Sequence, residues 1–100
     1  MLTRDQAKNI VENRLSAAHE AAEPEVVIVD SATIERSFGW AFFYESRLYL
    51  QTGEFMHRLV GNAPIIVNRY TGEVVSTGTA HPTEYYLEQY EASLLSARGA

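Results

Sequence analysis

The segment Gly39-Trp40-Ala41-Phe42-Phe43-Tyr44-Glu45-Ser46, together with Gly61-Asn62-Ala63-Pro64-Ile65-Ile66-Val67, decides how this chain folds. In the first, Trp40, Phe42 and Tyr44 alternate with Ala41, Phe43 and Glu45, so a strand over residues 40–45 places aromatic rings on both of its faces. A strand that is apolar on both faces is central, or it expects company. In the second, a turn cluster leads into the short apolar run Ile65-Ile66-Val67, which reads as a buried strand.

Outward from these two segments the period changes. Upstream, Val26-Val27-Ile28-Val29 is a β-branched run too short for a helix, and Ala32-Thr33-Ile34 could extend it. Arg36-Ser37-Phe38-Gly39 reads as a turn. Downstream, Leu48-Tyr49-Leu50 suggests a short strand and Thr52-Gly53 a turn, while residues 54–60 suit one helical turn or a loop. Asn68-Arg69-Tyr70-Thr71-Gly72-Glu73 is a hairpin loop with Gly72 as its left-handed residue. Val74 and Val75 begin the returning strand, which Gly78 closes.

Helices flank this β region. Thr3 and Gln6 stand at capping-box spacing, with Leu2 and Ala7 placed for a hydrophobic staple. Ala7, Ile10, Val11, Leu15, Ala18 and Ala22 then recur at helical spacing, which predicts a helix over residues 3–22 stopped by Pro24. Pro82 suits the first position of a second helix, with Tyr86, Leu87, Tyr90 and Leu94 as its apolar stripe. The prediction is an α+β fold: an N-terminal helix, a three- to four-stranded antiparallel sheet and a C-terminal helix, in two layers, with one sheet face open. At 100 residues and with no linker or repeat, the expectation is a single domain over residues 1–100.

Composition narrows the function classes. The net charge is −5, and the eight basic residues form no stripe, which argues against nucleic acid. The chain has no cysteine, so disulfides, thiol nucleophiles and thiolate metal sites are excluded. No apolar run is long enough to span a bilayer and the N-terminus lacks a signal-peptide core, which makes the cytoplasm the expected location. His19, His57 and His81 lie in different elements, and the serines lack a nucleophile-elbow context. Glu84 with Glu88, and Glu88 with Glu91, read as the solvated face of a helix, and the glycines fit no phosphate loop. No catalytic, cofactor or metal site is predicted.

What remains is surface. The residues expected to meet a partner are Trp40, Tyr49, Phe55, His57 and Arg58, with Trp40 divided evenly between core and interface.

The order Gly39-Trp40-x-Phe42-x-Tyr44, Tyr49-Leu50-x-Thr52-Gly53, Gly61-Asn62-Ala63-Pro64-Ile65-Ile66-Val67, Thr71-Gly72-Glu73-Val74 and Gly78-Thr79-Ala80 resembles the immunity protein 35 family, also called YrhB-like domains. The resemblance runs over roughly residues 2–91. It implies a small bacterial α+β protein that binds a cognate toxin of a polymorphic toxin system, with no catalytic residues. Trp40, Gly61, Asn62, Pro64, Gly72 and Gly78 carry over with roles that look structural, whereas Gln51 stands where an acidic residue is expected. Three readings follow. The first is toxin neutralisation by occluding the toxin's active site, through the open sheet face or the loop from Arg47 to Arg58. The second is a small folding or stress factor that binds exposed apolar segments. The third is a ligand-binding module or enzyme. An edge strand or the open face would equally serve a homodimer.

Overall fold

The structure, a computed structural model, describes residues 1–18, 25–59 and 62–99. Helix α1 spans Arg4–Ala18. Its start is the expected capping box: the Thr3 amide donates to Gln6 Oε1 at 2.9 Å, and the Gln6 amide donates to Thr3 Oγ1 at 3.2 Å. Ala7, Val11 and Leu15, one helical turn apart, are its buried stripe. The predicted stop at Pro24 lies outside the described residues, as does His19.

The strands are β1 (Val26–Ile28), β2 (Ile34–Arg36), β3 (Gly39–Phe42), β4 (Tyr44–Ser46), β5 (Ile65–Asn68) and β6 (Val74–Ser76). They form an antiparallel four-stranded sheet in the order β2-β3-β5-β6 and a two-stranded pair, β1-β4. The single strand expected over residues 40–45 is therefore divided at Phe43. The cause is a change of register. Ile34 stands opposite Ala41, but Ile28 stands opposite Tyr44, so five residues face two across the gap. The excess is taken up by a 3-10 turn at Asp30–Ala32, while the Val29 amide still donates to the Phe43 carbonyl at 2.8 Å. The run from Ala32 to Ile34 thus does not simply prolong β1; it opens β2.

Helix α3 spans Thr83–Gly99. The α+β class and the helix, sheet, helix order are as expected, but the layering differs. Trp40, Phe42, Ile65 and Val67 pack with Ala7, Val11 and Leu15 of α1. Phe38, Ala41 and Ile66 pack with Leu87 and Tyr90 of α3. Because side chains alternate along a strand, these two sets lie on opposite faces of the sheet. Each face carries a helix, and the open face expected from two layers is filled. The apolar residues on both faces of β3 and β5 require this arrangement, since either face left bare would expose a row of large side chains to water.

The β5–β6 loop is fixed by Asn68, which is buried. Its Oδ1 accepts from the amides of Tyr70 and Thr71, and its Nδ2 donates to the Tyr90 hydroxyl at 3.1 Å. That hydroxyl in turn donates to Glu73 Oε1 at 2.6 Å, pinning α3 to the hairpin. Gly72 supplies the left-handed residue, at φ +75°.

Burial first, and then the bond to Glu73, push the Tyr90 phenol above its usual 10.0, and burial alone does the same for Tyr44. The native state therefore holds these protons more tightly than the unfolded chain. The stability this confers is full below pH 10.0 and is lost as the pH rises through the raised native values. Urea unfolding at about pH 9 and about pH 11 should show a lower midpoint at the higher pH, with a shallower fall in a Tyr44→Phe/Tyr90→Phe variant. An equal fall in that variant would assign the alkaline loss to other groups.

Candidate functional site

Between β4 and β5 the chain leaves the sheet. Residues 47–52 form a short helix, α2 (Arg47–Thr52), where the alternation of Leu48, Tyr49 and Leu50 predicts a strand. Ser46 caps it through Oγ, which accepts from the Tyr49 amide at 3.2 Å, and Gly53 closes it at φ +72°. The bracketing serine and glycine were the readable signal for this helix. A single 3-10 turn at Phe55–His57 follows, within the segment read as one helical turn or a loop.

Neither short helix buries a residue. Phe55 is 78% exposed, Met56 79% and Leu50 49%. The Arg58 guanidinium lies 6.0 Å from the Tyr49 ring centroid and 5.8 Å from that of Phe55, a cation held by two aromatic faces. Among the described residues Arg58 forms no ion pair. His57 turns back on Glu54, with Nε2 3.4 Å from its carboxylate.

This exposed lobe is anchored from beneath. Glu45 is buried, with Oε1 accepting from the Leu59 amide at 2.8 Å and Oε2 from Asn62 Nδ2 at 2.6 Å. The same Asn62 nitrogen donates to the Tyr44 carbonyl at 2.9 Å. At the other end the Arg47 amide donates to the Glu25 carbonyl at 2.7 Å, beside an exposed Arg47–Glu25 ion pair that adds little of its own. One buried carboxylate thus ties the return of the excursion to the strand from which it departs.

Of the five residues expected to meet a partner, the structure gathers Tyr49, Phe55 and Arg58 into one cluster, with His57 beside them. Trp40 is a correction. It is 3% exposed, packed under α1 and capped by the Arg69 guanidinium at 4.7 Å, so it cannot touch a partner on this surface. Its position opposite Val67, in the middle of the sheet, explains the burial. Leu50 and Met56 were not expected to belong to the site; Met56, apolar beside Phe55 and followed by the polar His57 and Arg58, was the available sign. Among the described residues, no group of three or more His, Asp and Glu side chains is arranged to hold a metal ion. No helix among them is long and apolar enough to cross a membrane.

The profile of the family described as immunity protein 35 matches residues 5–93 of this chain. The chain belongs to that family. This immunity protein 35 member is also similar to the Escherichia coli K12 protein named uncharacterized protein YrhB, with 41% identity over 75 residues, 75% of this chain and 80% of the relative. No solved structure matches it. Residues that the resemblance carries over hold structural posts in this member. Asn62 ties the lobe, and the Pro64 carbonyl accepts from the Thr77 amide and hydroxyl. Gly72 turns the hairpin, and Gly78 lies against the Tyr86 hydroxyl, where a Cβ would come to 2.8 Å. Gly61 lies outside the described residues.

Proposed function

We propose that this chain is a non-catalytic immunity protein that neutralises a cognate protein toxin by seating the 47–58 lobe against it and occluding its active site. Membership of the family supports the immunity role. The observation that carries the mode of binding is the exposure of Phe55, Met56 and Leu50 around Arg58 on a lobe whose end is fixed by buried Glu45. Large apolar and aromatic side chains held out on an ordered backbone, next to an arginine, have the composition of an interface hot spot. A standard interface of about 800 Å² per partner would cover about an eighth of the 6429 Å² surface, an area the lobe and its surroundings can supply.

The test uses the tagged chain as bait in lysate of its source organism. The expected catch is one protein in near-equal amount. Against that protein, Tyr49→Ala, Phe55→Ala and His57→Ala are each expected to weaken binding, Phe55→Ala by roughly tenfold to a hundredfold, with the far-ultraviolet dichroism unchanged. Unchanged affinity in all three would remove the lobe from the interface. A smear of unfolded clients in place of one partner would favour a folding factor, and no catch would count against toxin binding.

A further inference from the structure

We propose that a groove at the other end of β3 is a second docking site, built to take a basic amphipathic segment of a partner protein. It is a concavity of about 660 Å³, within the size range of ligand-binding pockets, between the second half of α3 and the β5–β6 loop. Its floor is Phe38, held edge-to-face against Tyr90 at 5.2 Å, together with Asn68. One bank is Tyr70, 63% exposed; the other is Leu94 and Leu95, with Leu95 62% exposed.

The banks are fixed before any partner arrives. Asn68 Oδ1 accepts from the amides of Tyr70 and Thr71, which locks the loop, and the Tyr90–Glu73 bond ties that loop to α3. Tyr70 and Leu95 thus stand in water on a braced loop and on the helix to which that loop is tied. A groove that runs beside a helix, with an apolar side chain on each bank, fits an amphipathic helix laid into it.

Charge selects the occupant. Glu91 is the one ionisable carboxylate of the lining, and Glu88 is exposed one turn earlier on the same helix. Neither makes an ion pair among the described residues. A lysine or arginine beside the inserted apolar side chain meets Glu91 across the rim. A second copy of this chain is the poorer occupant, because two-fold packing on α3 would bring the same acidic residues together. The groove opens beside Phe38, ahead of β3, and the lobe leaves from Ser46 at the end of β4; the two share no residue, so both sites can be filled at once.

The probe is a synthetic amphipathic helical peptide of leucine and lysine about four turns long, with a leucine–glutamate peptide of the same pattern as control. Amide chemical shifts of the full chain are expected to move at Phe38, Tyr70, Leu94 and Leu95 with the lysine peptide and to stay still with the glutamate peptide. Leu95→Asp and Glu91→Lys, both at exposed positions, are expected to weaken binding about tenfold or more, while Phe55→Ala leaves it unchanged. Shifts spread along the acidic face of α3 without response to Leu95→Asp would overturn the site, as would no binding. A sedimentation dimer dissolved by Leu95→Asp would assign the groove to a second copy and overturn the proposed occupant.

Discussion

Gly39→Ala is expected to cost about 4 kcal/mol, a fall in melting temperature of roughly 20 °C for a chain of this size, measured by calorimetry. Two separate penalties meet at this position. Gly39 has φ +149°, a conformation closed to side chains, and a Cβ built there would lie 1.9 Å from the Val67 carbonyl oxygen and 3.0 Å from the Arg69 amide nitrogen. Both obstacles are backbone, so relief requires β3 and β5 to separate where Gly39 faces Asn68. That pairing also carries the Arg69 amide bond to the Phe38 carbonyl at 2.9 Å. Gly53→Ala is the control: φ is +72° there, but no atom lies within 4 Å of the added Cβ. It should cost only about 1 to 2 kcal/mol, the penalty of a left-handed alanine. Equal losses at the two sites would show that conformation alone, and not the close approach of β3 to β5, makes Gly39 necessary.

Glu45→Ala should cost about 3 kcal/mol and loosen the lobe before the sheet. It removes both acceptors, leaving the half-buried Leu59 amide without a partner and Asn62 Nδ2 with only its bond to the Tyr44 carbonyl. Part of that loss is offset because the carboxylate is no longer taken out of water. Glu45→Gln keeps one acceptor but sets an amide NH₂ against the second donor, so an intermediate cost is expected. Native-state hydrogen exchange should speed up over residues 47–59 in Glu45→Ala while the buried turns of α1 stay slow. Uniform acceleration across the chain would make Glu45 a general core residue and not the anchor of the lobe.

The two long helices were legible in the sequence because their signals are local. Thr3 and Gln6 announce α1, and Pro82 with the Tyr86-Leu87-Tyr90-Leu94 stripe announces α3. The Asn68–Glu73 hairpin was legible for the same reason, since Gly72 serves a turn that needs a positive φ. Apart from α2, whose local Ser46 cap and closing Gly53 were outweighed by the apolar run Leu48-Tyr49-Leu50, what escaped was decided at a distance. The break at Phe43 follows from a register shift in the strand opposite, which no residue in the 40–45 segment encodes. The placement of the helices on opposite faces is set by which of two equally apolar faces each one finds, although Ile65-Ile66-Val67, apolar throughout, already required both faces to be covered.

The candidate site was half legible for a related reason. Tyr49, Phe55 and Arg58 read as a surface because they fall in a stretch with no core period, and the structure brings them together. Trp40 carries the same chemistry, but its neighbours in space, Phe42, Val67 and Arg69, consume it. Glu45 was unreadable as an anchor. Its partners stand 14 and 17 residues further along the chain, and a glutamate on the second face of a strand suggests solvent and not burial.

The measurement that bears most directly on the central claim is hydrogen exchange of the chain alone and in complex with the protein it captures. If the lobe is the toxin-binding surface, exchange slows over residues 47–59 on binding, and the exposed turns of α1 around Glu12 and Asn13 are unchanged. Protection confined to other elements, with residues 47–59 exchanging as fast as in the free chain, would contradict it.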